Sequence, residues 1–198
     1  MRIYFVMGTL MFIFNGLTLY EIFACGNTSI YHEGEFVECI SAFCYLFASL
    51  LTFFRGFDRR GLERKLTLIF SLTCLLFFVR ELDLEHLNIP SLLSTLGSST
   101  GRNVFFVAIY SVLFISVCSS SVDRSGLRLK VFLSSPVMRI SVLGGVFLVV
   151  GWIFERLHSD MIEEIFEMNG SFLILFAAIL HERLPISSSS RGRQPLVF

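Results

Sequence analysis

Six apolar stretches, each about long enough to cross a bilayer, set the strongest limit on how this chain can fold. A spanning helix needs about 20 mostly apolar residues, because each residue advances the helix by about 1.5 Å. The third and fifth stretches reach that length only by including charged residues at one end, so four or five crossings stay open as alternatives. The pattern predicts an all-α bundle of about six transmembrane helices. The stretches are Ile3–Phe23, Phe36–Phe54, Leu66–Leu82, Val104–Val122, Ile140–His158 and Met161–Leu180.

Charged residues are distributed unevenly between the two sides of this predicted bundle. If the N-terminus lies inside, thirteen of the sixteen Lys and Arg residues fall on the inner side, and twelve of the sixteen Asp and Glu residues fall on the outer side. Lys and Arg in short loops set the orientation of multi-pass membrane proteins and favour the cytoplasmic side. We therefore predict a multi-pass protein of the cell inner (plasma) membrane with both termini in the cytoplasm.

The composition supports the same class. Hydrophobic residues make up 54% of the chain and charged residues only 16%, against about 25% charged residues in soluble domains. No polar stretch is long enough for a second domain, so residues 1–184 are predicted to form one transmembrane domain. Residues 185–198 are rich in Ser and contain two Arg, which predicts a disordered basic cytoplasmic tail.

Ionisable residues cluster where the predicted helices meet the outer face. Two helices begin there with carboxylates three or four residues apart, and two others end there with an adjacent Arg and Glu. Ionisable groups inside a membrane tend to face the bundle interior and pair, although the helix dipole alone favours the same placement by about 0.3 to 1 kcal/mol each. We predict a charge-pair network or ion pathway formed by Glu38, Arg80, Glu81, Arg156, Glu164, Glu167 and Asn169.

Uncharged positions within the predicted helices indicate packing. Asn15 and Asn169 are expected to hydrogen-bond across helices, which contributes about 0.6 kcal/mol on average in membrane proteins. Gly144, Gly145 and Gly151 favour close approach between helices.

Three histidines also fall on the predicted outer face beside acidic residues. Imidazole and carboxylate groups are suitable ligands for zinc and other divalent cations, but no HExxH or other fixed metal-binding spacing is present. A chance grouping at the interface is therefore the alternative, and no other cofactor is predicted. The candidate metal ligands are His32, His86 and His158.

Three functions are compatible with these features. The first is a non-enzymatic subunit, anchor or sensor, homo-oligomeric or bound through its basic inner loops to a cytoplasmic protein. The second is a proton- or cation-coupled transporter or channel in which Glu38 and Glu167 exchange protons. The third is an outer-face enzyme acting on a lipid-linked substrate, with Glu38, Glu81 or Glu167 as general acid or base. No catalytic or nucleic-acid-binding motif favours the third function or a nucleic-acid partner, and we expect the first.

Overall fold

The computed structural model of the chain describes residues 2–27, 36–82 and 135–183, together with the single helical positions 104, 107, 108, 111, 112 and 115. This described part is helical and contains no strand, which confirms the predicted all-α class. Its five long helices are α1 (Arg2–Phe23), α2 (Phe36–Asp58), α3 (Gly61–Glu81), α4 (Pro136–Arg156) and α5 (Asp160–Arg183).

The ends of α4 show how local sequence sets helix boundaries. The Ser135 hydroxyl accepts a hydrogen bond from a backbone N–H of the first turn at 3.2 Å, and Pro136 begins the helix, where no backbone N–H is needed. At the other end the N–H of Ser159 donates to the carbonyl of Phe154, and His158 adopts a left-handed conformation with φ of 54°. This tight turn leads directly into α5, so α4 and α5 form an antiparallel hairpin.

Helix α5 occupies the centre of the bundle, where it packs against both α2 and α4. Helices α2 and α5 run in the same direction. Val37 and Met168, near the starts of the two helices, belong to one buried cluster. Ala48 and Ala178, nearer to their ends, belong to a second buried cluster. The apolar core of the described part therefore lies along α5.

Helix α3 packs on α2 and runs antiparallel to α5. Arg80, near the end of α3, contacts Glu167, near the start of α5. Thr67, near the start of α3, contacts His181, near the end of α5. We call the end of the bundle that contains Arg80 the Arg80 end. We call the opposite end the Arg59 end, because Arg59 precedes α3 there and contacts the last turn of α5.

Helix α1 contacts α5 through a small number of side chains. Tyr4 packs edge-on against Phe176 with ring centroids 5.2 Å apart, and Phe14 packs against Phe172 at 5.3 Å. These pairs make α1 antiparallel to α5. The remaining faces of α1 expose large apolar side chains, among them Phe5, Phe12 and Phe23.

Three of the helices are long and apolar enough to cross a membrane, which indicates a membrane protein: Tyr4–Phe23 within α1, and α2 and α4 over their whole length. Helices α3 and α5 contain the predicted crossings Leu66–Leu82, apart from its last residue, and Met161–Leu180. Both helices carry charges within their length, three in the first turns of α3 and four acidic residues in the first half of α5. The predicted crossing Val104–Val122 lies mostly outside the described residues, and the tail 185–198 lies wholly outside them. Of the two basic inner loops, the first, 55–65, is described, whereas the second, 124–139, is described only from residue 135 onward.

Candidate functional site

The last turn of α3 and the second turn of α5 bring one arginine and two glutamates together. Arg80 Nη2 lies 2.5 Å from both carboxylate oxygens of Glu167, and Arg80 Nε lies 3.7 Å from Glu81 Oε1. Both glutamates are buried, whereas 33% of the Arg80 side chain is exposed. We refer to these three residues as the Arg80 cluster. It unites three of the residues that the sequence assigned to a charge-pair network.

The Arg80 cluster is placed in an environment rich in negative charge. Glu81 and Glu167 share one guanidinium group, and Glu164 lies within electrostatic range of both carboxylates and of Glu38. Taking a charged group out of water costs several kcal/mol, which a close ion pair offsets only with good geometry. The two contacts from Arg80 to Glu167 provide that geometry, and the exposed part of Arg80 keeps the cluster in contact with its surroundings.

Gly151 of α4 makes room for the Glu167 side chain. A Cβ atom at this position would lie 3.0 Å from Glu167 Cγ and 3.3 Å from the carbonyl oxygen of Glu163. The stem of Glu167 therefore passes α4 where that helix has no side chain. The sequence indicated close packing at Gly151, but it gave no sign that the group packed there is the carboxylate partner of Arg80.

Tyr45 is a buried neighbour of the Arg80 cluster that sequence reasoning did not identify. Its side chain is 1% exposed, stacks on Phe77 with centroids 5.2 Å apart, and lies within electrostatic range of Glu81 and Glu167. The available signal was its position seven residues after Glu38, which places both residues on one face of α2. An apolar helix with several aromatic residues gave no reason to prefer that face.

An asparagine pair links α1 to α5 at nearly the same level of α5 as the Arg80 cluster. Asn15 Nδ2 donates to Asn169 Oδ1, and Asn169 Nδ2 donates to Asn15 Oδ1, each at 2.8 Å. Each amide also donates to a carbonyl of its own helix four residues earlier, at 2.7 Å. Because Asn169 follows Glu167 by two residues, a rotation of about 200°, α5 makes polar contacts with α1 and α3 from opposite faces at nearly the same level.

Arg156 lies apart from the Arg80 cluster. It is exposed, and its guanidinium carbon lies 5.4 Å from the ring centre of Trp152. The reason is helical geometry: Arg156 follows Gly151 by five residues, which is a rotation of about 140°, and Gly151 is the residue that faces α5. Arg80 and Arg156 are the two arginines of the predicted network, and the structure pairs Arg80 with Glu167.

The metal candidates are only partly described. His158 is exposed and forms the left-handed turn between α4 and α5, while His32 and His86 lie outside the described residues. Among residues 2–27, 36–82 and 135–183, no group of three His, Cys, Asp or Glu side chains is arranged to hold a metal ion. The metal hypothesis therefore has no geometric support in the part of the chain that the structure covers.

A second polar group that the sequence did not predict lies at the Arg59 end. Arg59 is 5% exposed, and its Nη2 donates to the carbonyl oxygen of His181 at 3.4 Å, so a cation meets the C-terminal turn of α5. The His181 ring lies 3.4 Å from the Thr67 hydroxyl. Burial, followed by the nearby charges of Arg59 and Arg55, lowers the pKa of His181 to about 4. The imidazole is therefore neutral at pH 7.

Comparison of the chain with protein-family models, with curated proteins and with solved structures found no match.

Proposed function

We propose that this protein is a non-enzymatic, multi-pass subunit, anchor or sensor of a plasma (inner) membrane. The observation that carries the proposal is that polar side chains within the described bundle bond to one another between helices. Arg80 pairs with Glu167, and Asn15 pairs with Asn169. In a hydrocarbon environment such ties fix the rotation and depth of helices, which is the requirement of a scaffold.

Helix directions support six crossings in this proposal. Helices α3 and α4 are both antiparallel to α5, so the chain between Leu82 and Ser135 has to return from the Arg80 end to the Arg59 end. The apolar stretch Val104–Val122 is long enough for that return. With this crossing, both termini and both basic loops lie at the Arg59 end, which the positive-inside bias assigns to the cytoplasm. A cytoplasmic protein at these loops and a second copy of the chain are the partners we propose.

A second candidate function is coupled transport of protons or cations. One observation favours it: the buried carboxylates Glu81 and Glu167 both lie within ion-pair distance of Arg80, and Glu164 lies within electrostatic range of both. Excess negative charge in a poorly solvated site favours uptake of a proton or a cation. In this function Glu167 would exchange its proton while Arg80 moved between carboxylates.

Reconstituted vesicles distinguish the two functions. The protein is incorporated into vesicles that contain a pH-sensitive dye, and a proton gradient is imposed. The scaffold proposal predicts the same proton flux as in empty vesicles. Flux above that level that disappears in Glu167→Gln would refute the scaffold and support transport.

The stability of the same variant tests the scaffold directly. Glu167→Gln leaves Arg80 with a weaker partner, and we expect a loss of about 1–3 kcal/mol in unfolding free energy. This is less than the roughly 3–5 kcal/mol for a fully buried pair, because a third of the Arg80 side chain is exposed. Asp160→Asn, at the exposed start of the same helix, is the matched control and should change stability little. Equal tolerance of both substitutions would contradict a structural role for the pair.

Thiol labelling tests the proposed orientation. Cys25 follows α1 at the Arg80 end and is exposed, and Arg60 at the Arg59 end is also exposed. One variant retains Cys25 alone, and another carries Arg60→Cys in a background without other cysteines. A reagent that does not cross membranes should label Cys25 in intact cells and label the second variant only after lysis. Labelling of both in intact cells would rule out the proposed topology.

A further inference from the structure

The segment 55–65, at the Arg59 end, carries three cations that form no ion pair within the described part of the chain. Its two acidic residues are already matched, since Asp58 lies 3.6 Å from Arg55 and Glu63 lies 3.5 Å from Arg59. The surplus cations are all exposed, and no ion pair with a described residue involves them. They are Arg60, Arg64 and Lys65.

One of these cations is held against an apolar surface. The Arg64 guanidinium carbon lies 5.8 Å from the centre of the Phe57 ring, and Phe57 is itself 55% exposed. A guanidinium over an aromatic face is attracted by the electron density of the ring. The contact directs the charge along the side of α2 rather than away from the bundle.

The apolar surface continues along α2 as a row of large exposed side chains. The spacing of the row is four and three residues in alternation, which keeps all of its members on one helix face. The row covers fourteen residue steps, or about 21 Å, which exceeds the roughly 15 Å depth of one leaflet's hydrocarbon. We name it the α2 stripe, and its members are Phe43, Phe47, Leu50, Phe54 and Phe57.

We propose that Arg60, Arg64 and Lys65 bind the headgroup of an anionic phospholipid whose acyl chains lie along the α2 stripe. The inference rests on the membrane placement proposed above. Charge complementarity selects an anionic headgroup, and the continuity of the cations with the stripe selects a lipid over a free anion. A soluble acidic protein could use the cations but would have no use for an apolar row that extends deeper than one leaflet.

Lipid titration of the purified full-length protein tests this site. The protein is kept in an uncharged detergent and receives phosphatidylglycerol, phosphatidylcholine of the same chain length, or inorganic phosphate. Melting temperature and bound lipid, the latter by native mass spectrometry, are measured. We expect phosphatidylglycerol alone to raise the melting temperature and to remain bound. An equal effect of phosphatidylcholine would overturn the proposal, and so would an equal effect of phosphate, which would indicate a free-anion site.

Neutralised variants locate the lipid. Each of Arg60→Gln, Arg64→Gln and Lys65→Gln should weaken phosphatidylglycerol binding about fivefold, and the triple variant on the order of a hundredfold. Arg156→Gln, which removes an exposed cation that also lies over an aromatic ring but at the Arg80 end, is the matched control and should bind normally. Equal loss in the control would mean that only net charge matters and would refute the site.

Membrane extraction separates this inference from the proposed function. If alkaline carbonate releases the chain from membranes, the membrane placement itself fails. If the chain resists extraction but wild-type protein does not prefer phosphatidylglycerol, only the lipid site fails.

Discussion

Gly144 of α4 lies against the backbone of α5, and replacing it with alanine tests how closely the two helices must approach. A Cβ atom at Gly144 would lie 3.1 Å from the carbonyl oxygen of Gly170, 3.1 Å from Ile174 Cγ1 and 3.3 Å from Leu173 Cβ. The carbonyl oxygen belongs to a helix and cannot move alone, so the helices must separate locally. Such overpacking typically costs about 1–3 kcal/mol.

The neighbouring glycine supplies an internal reference for this experiment. A Cβ at Gly145 would have nothing within 4 Å, so Gly145→Ala adds a methyl group without a clash. Both substitutions gain the same helix propensity, up to about 1 kcal/mol in water, and that gain cancels in their difference. We expect Gly144→Ala to be less stable than Gly145→Ala by about 1–3 kcal/mol in unfolding free energy.

Denaturant titration in detergent micelles, followed by circular dichroism, measures this difference. If the two alanine variants unfolded at the same denaturant concentration, the close contact between α4 and α5 would be wrong. The position of Gly151 against Glu167 would then be in question as well, because the same helix face forms both contacts.

Two further predictions concern polar contacts. In a double-mutant cycle, Asn15→Ala and Asn169→Ala should show a coupling energy of about 0.6 kcal/mol, and not more than about 1.7; strictly additive losses would show that the amides do not bond. His181 follows the predicted crossing Met161–Leu180, and its lowered pKa of about 4 means that at mildly acidic pH the unfolded chain binds a proton that the folded chain excludes. The contribution of His181 to stability should therefore be constant above about pH 6.5 and fall by at most about 1.4 kcal/mol per unit between pH 6.5 and 4. In chemical unfolding, the stability of wild type relative to His181→Asn should decrease as the pH falls from 6.5 to 4, and a difference that stays constant would contradict a buried neutral imidazole.

Much of the candidate site was predictable because its charges stand out against apolar helices. Arg80 and Glu167 interrupt long apolar runs in the sequence, and an ionisable residue in a predicted crossing needs a partner. Tyr45 and Gly151 could not be recognised in the same way, since an aromatic residue and a glycine are ordinary in an apolar helix. Their roles come from which neighbour they face, which depends on residues far away in the chain.

Local sequence is enough to define the helices and which charges stand at which ends of them. The bounds of α4 can be predicted without knowledge of the fold, because they depend on neighbouring residues alone. These local features are the length of the apolar stretch, the Ser-Pro start and the i to i−4 hydrogen bonds. The rotation of each helix about its axis is different. Helices such as α1 and α4 are apolar on most of their surface, so periodicity does not indicate an inner face. Long-range packing on α5 supplies that information, and it is why Glu167 meets Arg80 while Arg156 lies over Trp152 on the exposed side.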